Sequence, residues 1–150
     1  MRIEKDYEDL LRLFNRYKVR YCVVGAFAVA LYAVPRYTKD MDILVEPSGE
    51  NSRKIIKALN IFGFKSVDLK EEDFNCAGHI IQLGYEPVRV DILTSIAGVG
   101  FEEAWENKKK IRYGHISVFF IGREELIKSK KASGREQDKA DLKLIERLNK

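Results

Sequence analysis

YCVVGAFAVALYAVPRYTKDMDILV, residues Tyr21 to Val45, is the stretch on which the reading of the whole chain turns. Tyr21 to Val24 is an apolar run too short for a helix and reads as a buried strand. Gly25 and Ala26 then open an apolar helical segment that runs to Val34 and stops at Pro35. The first N–H groups of such a helix point outward with no partner inside it, which suits a phosphate. Past the proline the chain returns extended and carries Asp40 and Asp42 into a second apolar run. Residues two apart on a strand share a side, with Cα atoms about 6.5–7 Å apart. Asp40 and Asp42 therefore share one face while Met41, Ile43 and Val45 fill the other.

Working outward, a third acid falls in step with this pair. His79 to Gly84 and Val88 to Leu93 read as two strands joined by a turn at Tyr85, Glu86 and Pro87. On the second of them Val88, Val90 and Ile92 point one way, and Arg89, Asp91 and Leu93 the other. If this strand lies beside Asp40–Val45, three carboxylates converge next to a phosphate-binding helix start. A lone Asp-x-Asp is also what a strand cap or a surface acid looks like, so the third acid in phase carries the weight. Oxygen ligands of this kind suit a divalent cation that completes its shell with phosphate, or a pair of such ions bridging a phosphoryl displacement.

The rest of the chain supplies a scaffold. Tyr7, Leu10, Leu11 and Phe14 lie at helical spacing and form an opening amphipathic helix. After a turn at Glu46 to Gly49, Asn51 or Ser52 is placed to cap a helix with Ile55, Leu59 and Phe62 on its buried stripe, ended by Gly63. A short strand is expected near Phe64 to Val67 and a polar loop from Lys70 to Asn75. Phe101, Ala104 and Trp105 mark a short helix, with Trp105 read as core. Ile116 to Ile121 is a further strand, and helices follow over about Glu124 to Lys131 and Arg135 to Leu148, separated by Gly134.

With 150 residues and no repeat or linker, the chain reads as a single α/β domain with a mixed sheet flanked by helices. A composition 45% hydrophobic and 33% charged excludes a disordered or fibrous protein. No apolar run approaches the length of a membrane span, and the charged start MRIEKDYEDL is no leader, so a cytoplasmic location is expected. Cys22 and Cys76 belong to no zinc or redox spacing and read as reduced thiols. His79 and His115 lack metal-type companions. Neither GxGxxG nor GxxxxGK[ST] occurs, which disfavours dinucleotide and P-loop sites. The net charge of +4 is modest, but Lys108, Lys109, Lys110 and Arg112 cluster, as do Lys128, Lys130, Lys131 and Arg135. Either cluster could meet the phosphates of a nucleotide or of RNA, with the first read as a plain solvated face.

Gly25-Ala26, Asp40-Met41-Asp42 and the later Asp91 together resemble the minimal nucleotidyltransferases of the DNA polymerase beta superfamily. More narrowly, PRYTKDMDILV (Pro35 to Val45) resembles the Pro-Arg-x-Thr-x-Asp-x-Asp segment of stand-alone bacterial and archaeal members, some of them in toxin–antitoxin systems. LIKSKKASGREQDKADL (Leu126 to Leu142) is similar to their lysine and Gly-Arg-x-x-Asp tail. The resemblance implies a nucleotidyltransferase fold and transfer of a nucleoside monophosphate from an NTP to a hydroxyl, with pyrophosphate released. It implies Mg²⁺ or Mn²⁺ as cofactor, with Asp40, Asp42 and Asp91 as metal-binding and catalytic acids and the Gly25-Ala26 helix start holding triphosphate. Arg36, Thr38 and Lys130 are the further nucleotide-binding candidates. Arg135, Asp138 and Asp141 read instead as a helix-start ion-pair network of little energetic worth.

Ala26 departs from the Gly or Ser usual in that family. A serine would add a hydroxyl to the phosphate shell, while the backbone amides remain. The resemblance leaves the acceptor open between a protein, a tRNA and a small alcohol. The alternative function is a binding module of the same fold, weak or inactive in catalysis, with a toxin–antitoxin protein or an RNA as partner.

Overall fold

A computed structural model describes residues 3–34, 40–64, 68–85 and 88–147. Helix α1 (Lys5–Arg16) leads into strand β1 (Tyr21–Val24), α2 (Gly25–Tyr32) and β2 (Asp40–Val45). Next come α3 (Gly49–Leu59), β3 (Ile80–Tyr85), β4 (Val88–Leu93) and α4 (Phe101–Glu106). The chain ends with β5 (Lys109–Tyr113), β6 (Ile116–Phe120), α5 (Arg123–Ser133) and α6 (Glu136–Arg147). The strands make one mixed sheet in the order β3-β4-β2-β1-β6-β5. β1 runs antiparallel to β2 and parallel to β6, while β2 and β4 are parallel. This is the α/β architecture expected from the strand and helix patterns.

The core follows the apolar periodicities. On α1 the stripe Tyr7, Leu10, Leu11 and Phe14 is at most 1% exposed, each such side chain contributing about 1.5–3 kcal/mol of burial. All four residues of β1 are buried, because helices cover both faces of this central strand. On β2 only Asp40 and Asp42 reach solvent in part; Met41, Ile43, Leu44 and Val45 are buried. Asn51, 1% exposed, pins α3 to this core: its amide accepts from Arg20 N–H and donates to the Arg20 and Glu46 carbonyls.

Several local expectations change. The cap of α3 is Ser48, whose hydroxyl accepts from Asn51 N–H at 3.2 Å, while Asn51 and Ser52 lie inside the helix. Gly49 can take the first helical position, so the cap falls three residues before Asn51 and four before Ser52. Phe64, expected in a strand, ends a π-helical turn at Asn60–Phe64 in which Gly63 has φ 130°, a region that disfavours any other residue. Residues 65–67 of that expected strand lie outside the described residues, as do Glu86 and Pro87 of the hairpin turn. β5 was not expected at all. Its lysines hide a strand whose Ile111 and Tyr113 turn inward and whose partner β6 is reached through a tight turn with Gly114 at φ 63°. Among the described residues no helix is long and apolar enough to cross a membrane.

Candidate active site

Strand register gathers the acids. β2 and β4 pair in parallel with Asp42 beside Asp91 and Asp40 beside Arg89, so Asp40, Asp42, Asp91 and Arg89 occupy one face. Asp42 is the most perturbed of them, its carboxyl pushed up to about 7. Burial is the main cause, followed by the charges of Asp91 and Asp40 and a hydrogen bond with Asp91, with Lys130 opposing them. Asp40 Oδ1 and Asp91 Oδ1 are buried without a hydrogen-bond partner among the described residues. Arg89 is the nearest countercharge, with Nε 3.6 Å from Asp91 Oδ1 and 3.9 Å from Asp40 Oδ2.

Gly25 has two reasons to be glycine. Its φ is 67°, and a Cβ there would stand 2.1 Å from Asp42 Oδ2 and 2.8 Å from Asp42 Cγ. The helix start is thus laid directly against the acid, with Val24 as its cross-strand neighbour. No side chain caps α2 at this end and its first turn holds no acid, so its leading amides face outward uncapped. Ala26, partly exposed, offers the backbone alone.

Gly25 and Asp42 border a cleft of 270 Å³, with Ser95, Ser129, Lys130, Arg135 and Asp138 among its other walls; Asp40, Asp91 and Ala26 do not line it. Lys130 is buried, its ammonium 3.1 Å from both Asp138 Oδ1 and Asp141 Oδ2. The expected exposed ion-pair network is therefore corrected. Asp138 and Asp141 are each 1% exposed, because α6 folds back on α5 at Gly134 and turns these two acids inward, while Glu136 stays exposed. Burial alone would raise the Asp138 carboxyl, but hydrogen bonds from Arg135, Ser133 and Lys130 outweigh it and hold the group well below the usual carboxylate range.

That direction fixes a pH dependence. A depressed carboxylate adds stability above its unfolded value, near 4, and the contribution is lost as pH falls through the folded value. Acid titration followed by circular dichroism is expected to show a shallower loss of stability below about pH 4 for Asp138→Asn than for the unaltered chain.

Whether the acids fit a metal can be judged from the same geometry. Among the described residues no three Asp, Glu, His or Cys side chains are gathered closely enough to cage an ion. Mg²⁺ seldom uses such a cage; it is usually held through one or two carboxylates plus substrate phosphates. Two carboxylate oxygens without a hydrogen-bond partner among the described residues, beside an acid raised by burial and then by its like-charged neighbours, form an anionic cluster that Arg89 only partly offsets, so the residues fit a divalent cation. Arg36 and Thr38 lie outside the described residues. Sequence reasoning overlooked Arg89 as a member of this cluster, although its phase with Asp91 was visible, and Ser95, Ser129 and Ser133 of the cleft, which nothing in the sequence marks.

The sequence model of a nucleotidyltransferase family of unknown function, DUF6036, matches residues 1–149. The chain belongs to that family. Its fold is shared with solved structures at low identity. A putative nucleotidyltransferase of Thermotoga maritima, TM1012, superposes with TM-score 0.59 at 20% identity, over 95% of this chain and 93% of that one. The lincosamide antibiotic adenylyltransferase LnuA, bound to lincomycin, gives TM-score 0.62 at 21% identity, over 97% of this chain and 98% of its own. No curated protein matches in sequence. Family and neighbours agree with the resemblance read from Gly25, Asp40, Asp42 and Asp91.

Proposed function

We propose that this family member transfers a nucleoside monophosphate from an NTP to a hydroxyl acceptor, with release of pyrophosphate, in a reaction dependent on Mg²⁺ or Mn²⁺. The observation that carries the reading is the register pairing of Asp42 with Asp91, with Asp40 on the same face and the uncapped start of α2 against Asp42. Asp40, Asp42 and Asp91 are the residues to hold metal. The ions, when bound, supply charge neutralisation of the phosphates and a lowered pKa for the attacking hydroxyl.

The chain's own groups have separable tasks. The leading amides of α2, from Gly25 and Ala26 onward, bind triphosphate oxygens. Lys130, held by Asp138 and Asp141, offers the cleft wall an ammonium donor in a fixed place, its charge offset by those two acids. Asp91 and Asp42 orient the acceptor oxygen toward the α-phosphate, with α5 forming a wall of the cleft beside Asp42. Among the three acceptor classes, a small alcohol draws support from the fold neighbour LnuA, whose structure holds lincomycin. Transfer of label from α-labelled NTP to a panel of small alcohols, tRNA and protein extract tests the function. The label is expected on one acceptor class with the unaltered chain and absent with Asp42→Asn; equal signal from both proteins refutes the reading.

Arg89 favours a second reading, a binding module in which its guanidinium stands permanently beside Asp40 and Asp91, serving a toxin–antitoxin or RNA partner. Calorimetry separates the two, because the module would bind NTP without requiring Mn²⁺, or not at all.

A further inference from the structure

A second cleft, of 400 Å³, lies at the other end of β1 from the acids, walled by Asn15, Lys18, Arg20, Trp105, Lys110 and Phe119. β1 separates the two clefts: Arg20, just before it, lines this one, and Gly25, just after it, lines the acid cleft. The size is that of a small-ligand site, and its chemistry is aromatic and cationic.

The aromatic part is Trp105 with Phe119 edge-on at 5.4 Å between centroids, and Phe101 stacked on the same ring at 5.9 Å. Lys108 Nζ hangs 3.7 Å from the Trp105 ring centroid and donates to the Trp105 carbonyl, while Arg20 approaches the same ring at 4.9 Å. Arg20 is already neutralised by Glu46 and Glu102. Lys18 and Lys110 are exposed and have no carboxylate partner among the described residues. Register extends the charge along the edge strand. Lys110 faces the same side as Phe119, and Arg112 the same side as Ser117, so two cations stand about 6.5–7 Å apart in a row leading away from the aromatic pair.

Lys18 adds an independent observation. It is the only non-glycine with positive φ among the described residues, at 58°. It occupies the position after the end of α1 where Lys18 N–H bonds Asn15 O and Val19 N–H bonds Phe14 O. Glycine is the residue that this helix ending favours, and a lysine there carries backbone strain while placing a cation in the lining of the cleft.

We propose that this cleft binds a single-stranded nucleic-acid chain, one base entering against Trp105 and Phe119 and the following phosphates meeting Lys18, Lys110 and Arg112. Aromatic contact beside a track of cations is how such chains are held without sequence preference. The inference is independent of the reaction assigned to the acid cleft.

Trp105 is the sole tryptophan, so its emission reports on this cleft alone. The full chain is titrated with ten-nucleotide oligouridine and oligothymidine, and with UMP, in EDTA so that metal-dependent binding at the acids is silent. Saturable quenching by either oligonucleotide is expected, with UMP at least 10-fold weaker for want of the phosphate track. Affinity should fall with salt at a log–log slope of about −2, for three phosphates contacted by a single strand. Lys18→Gly, which suits the helix ending, and Lys110→Gln are each expected to weaken binding 3- to 10-fold with an unchanged or higher Tm, while Asp42→Asn binds as the unaltered chain does. An emission that oligonucleotides do not change, UMP binding as tightly as the decamers, or unaltered affinity in both lysine variants overturns the proposal.

Discussion

Gly25→Ala is expected to lower folding stability by about 3 kcal/mol and to abolish most nucleotidyl transfer with it. Two costs add. A non-glycine residue held at φ 67° carries about 1 kcal/mol or more of backbone strain. Its methyl would also lie 2.1 Å from Asp42 Oδ2, forcing the carboxylate or α2 to move at an overpacking cost of about 1–3 kcal/mol. Thermal unfolding measures the sum, and a double-mutant cycle separates the parts. Combining Gly25→Ala with Asp42→Gly removes the atom that the methyl strikes, so the pair should cost clearly less than the two single changes added together. Additivity would show that the helix start and the acid are not in contact.

Asp42→Asn is the second large effect, and its two consequences have opposite signs. Transfer should fall roughly 10³-fold, as expected when a group that stabilises transition-state charge is removed. The metal-free fold should become more stable. The Asp42 carboxyl is pushed up to about 7 by burial and by the charges of Asp91 and Asp40. A carboxyl raised in the folded state carries no penalty below its unfolded value, near 4; the penalty grows as pH rises and is complete above the folded value. In EDTA the Asn variant is therefore expected to match the unaltered chain near pH 4 and to exceed it by about 2 kcal/mol at pH 8, discounted for the partial exposure of Asp42. Denaturant unfolding at the two pH values checks this. A variant less stable than the unaltered chain at pH 8 would contradict the strained anionic cluster.

The same residues explain how much of the molecule was legible beforehand. Strand phase alone put Asp40, Asp42 and Asp91 on common faces, because a two-residue period is strict in a strand; only the adjacency of β2 and β4 had to come from the fold. Gly25 was legible as a turn and helix start, but its contact with Asp42 was not, since that contact depends on β1 and β2 lying side by side. β5 was hidden because its outward residues are Lys109, Lys110 and Arg112, and an edge strand guarded by lysines reads as a solvated run. Asp138 and Asp141 misled for a related reason. Charged residues at a helix start are usually exposed, and nothing local announces that α6 will fold back over α5 and bury them.

The acid face is expected to move the α-phosphate of an NTP, and parallel labelling tests this most directly. The chain is incubated with Mg²⁺ and a candidate acceptor and supplied with either α-labelled or γ-labelled NTP, the Asp91→Asn variant run beside it. The prediction is label on the acceptor from the α-position only, label from the γ-position released as pyrophosphate, and neither with Asp91→Asn. Acceptor labelled from the γ-position, or α-label transferred equally well by Asp91→Asn, would contradict it.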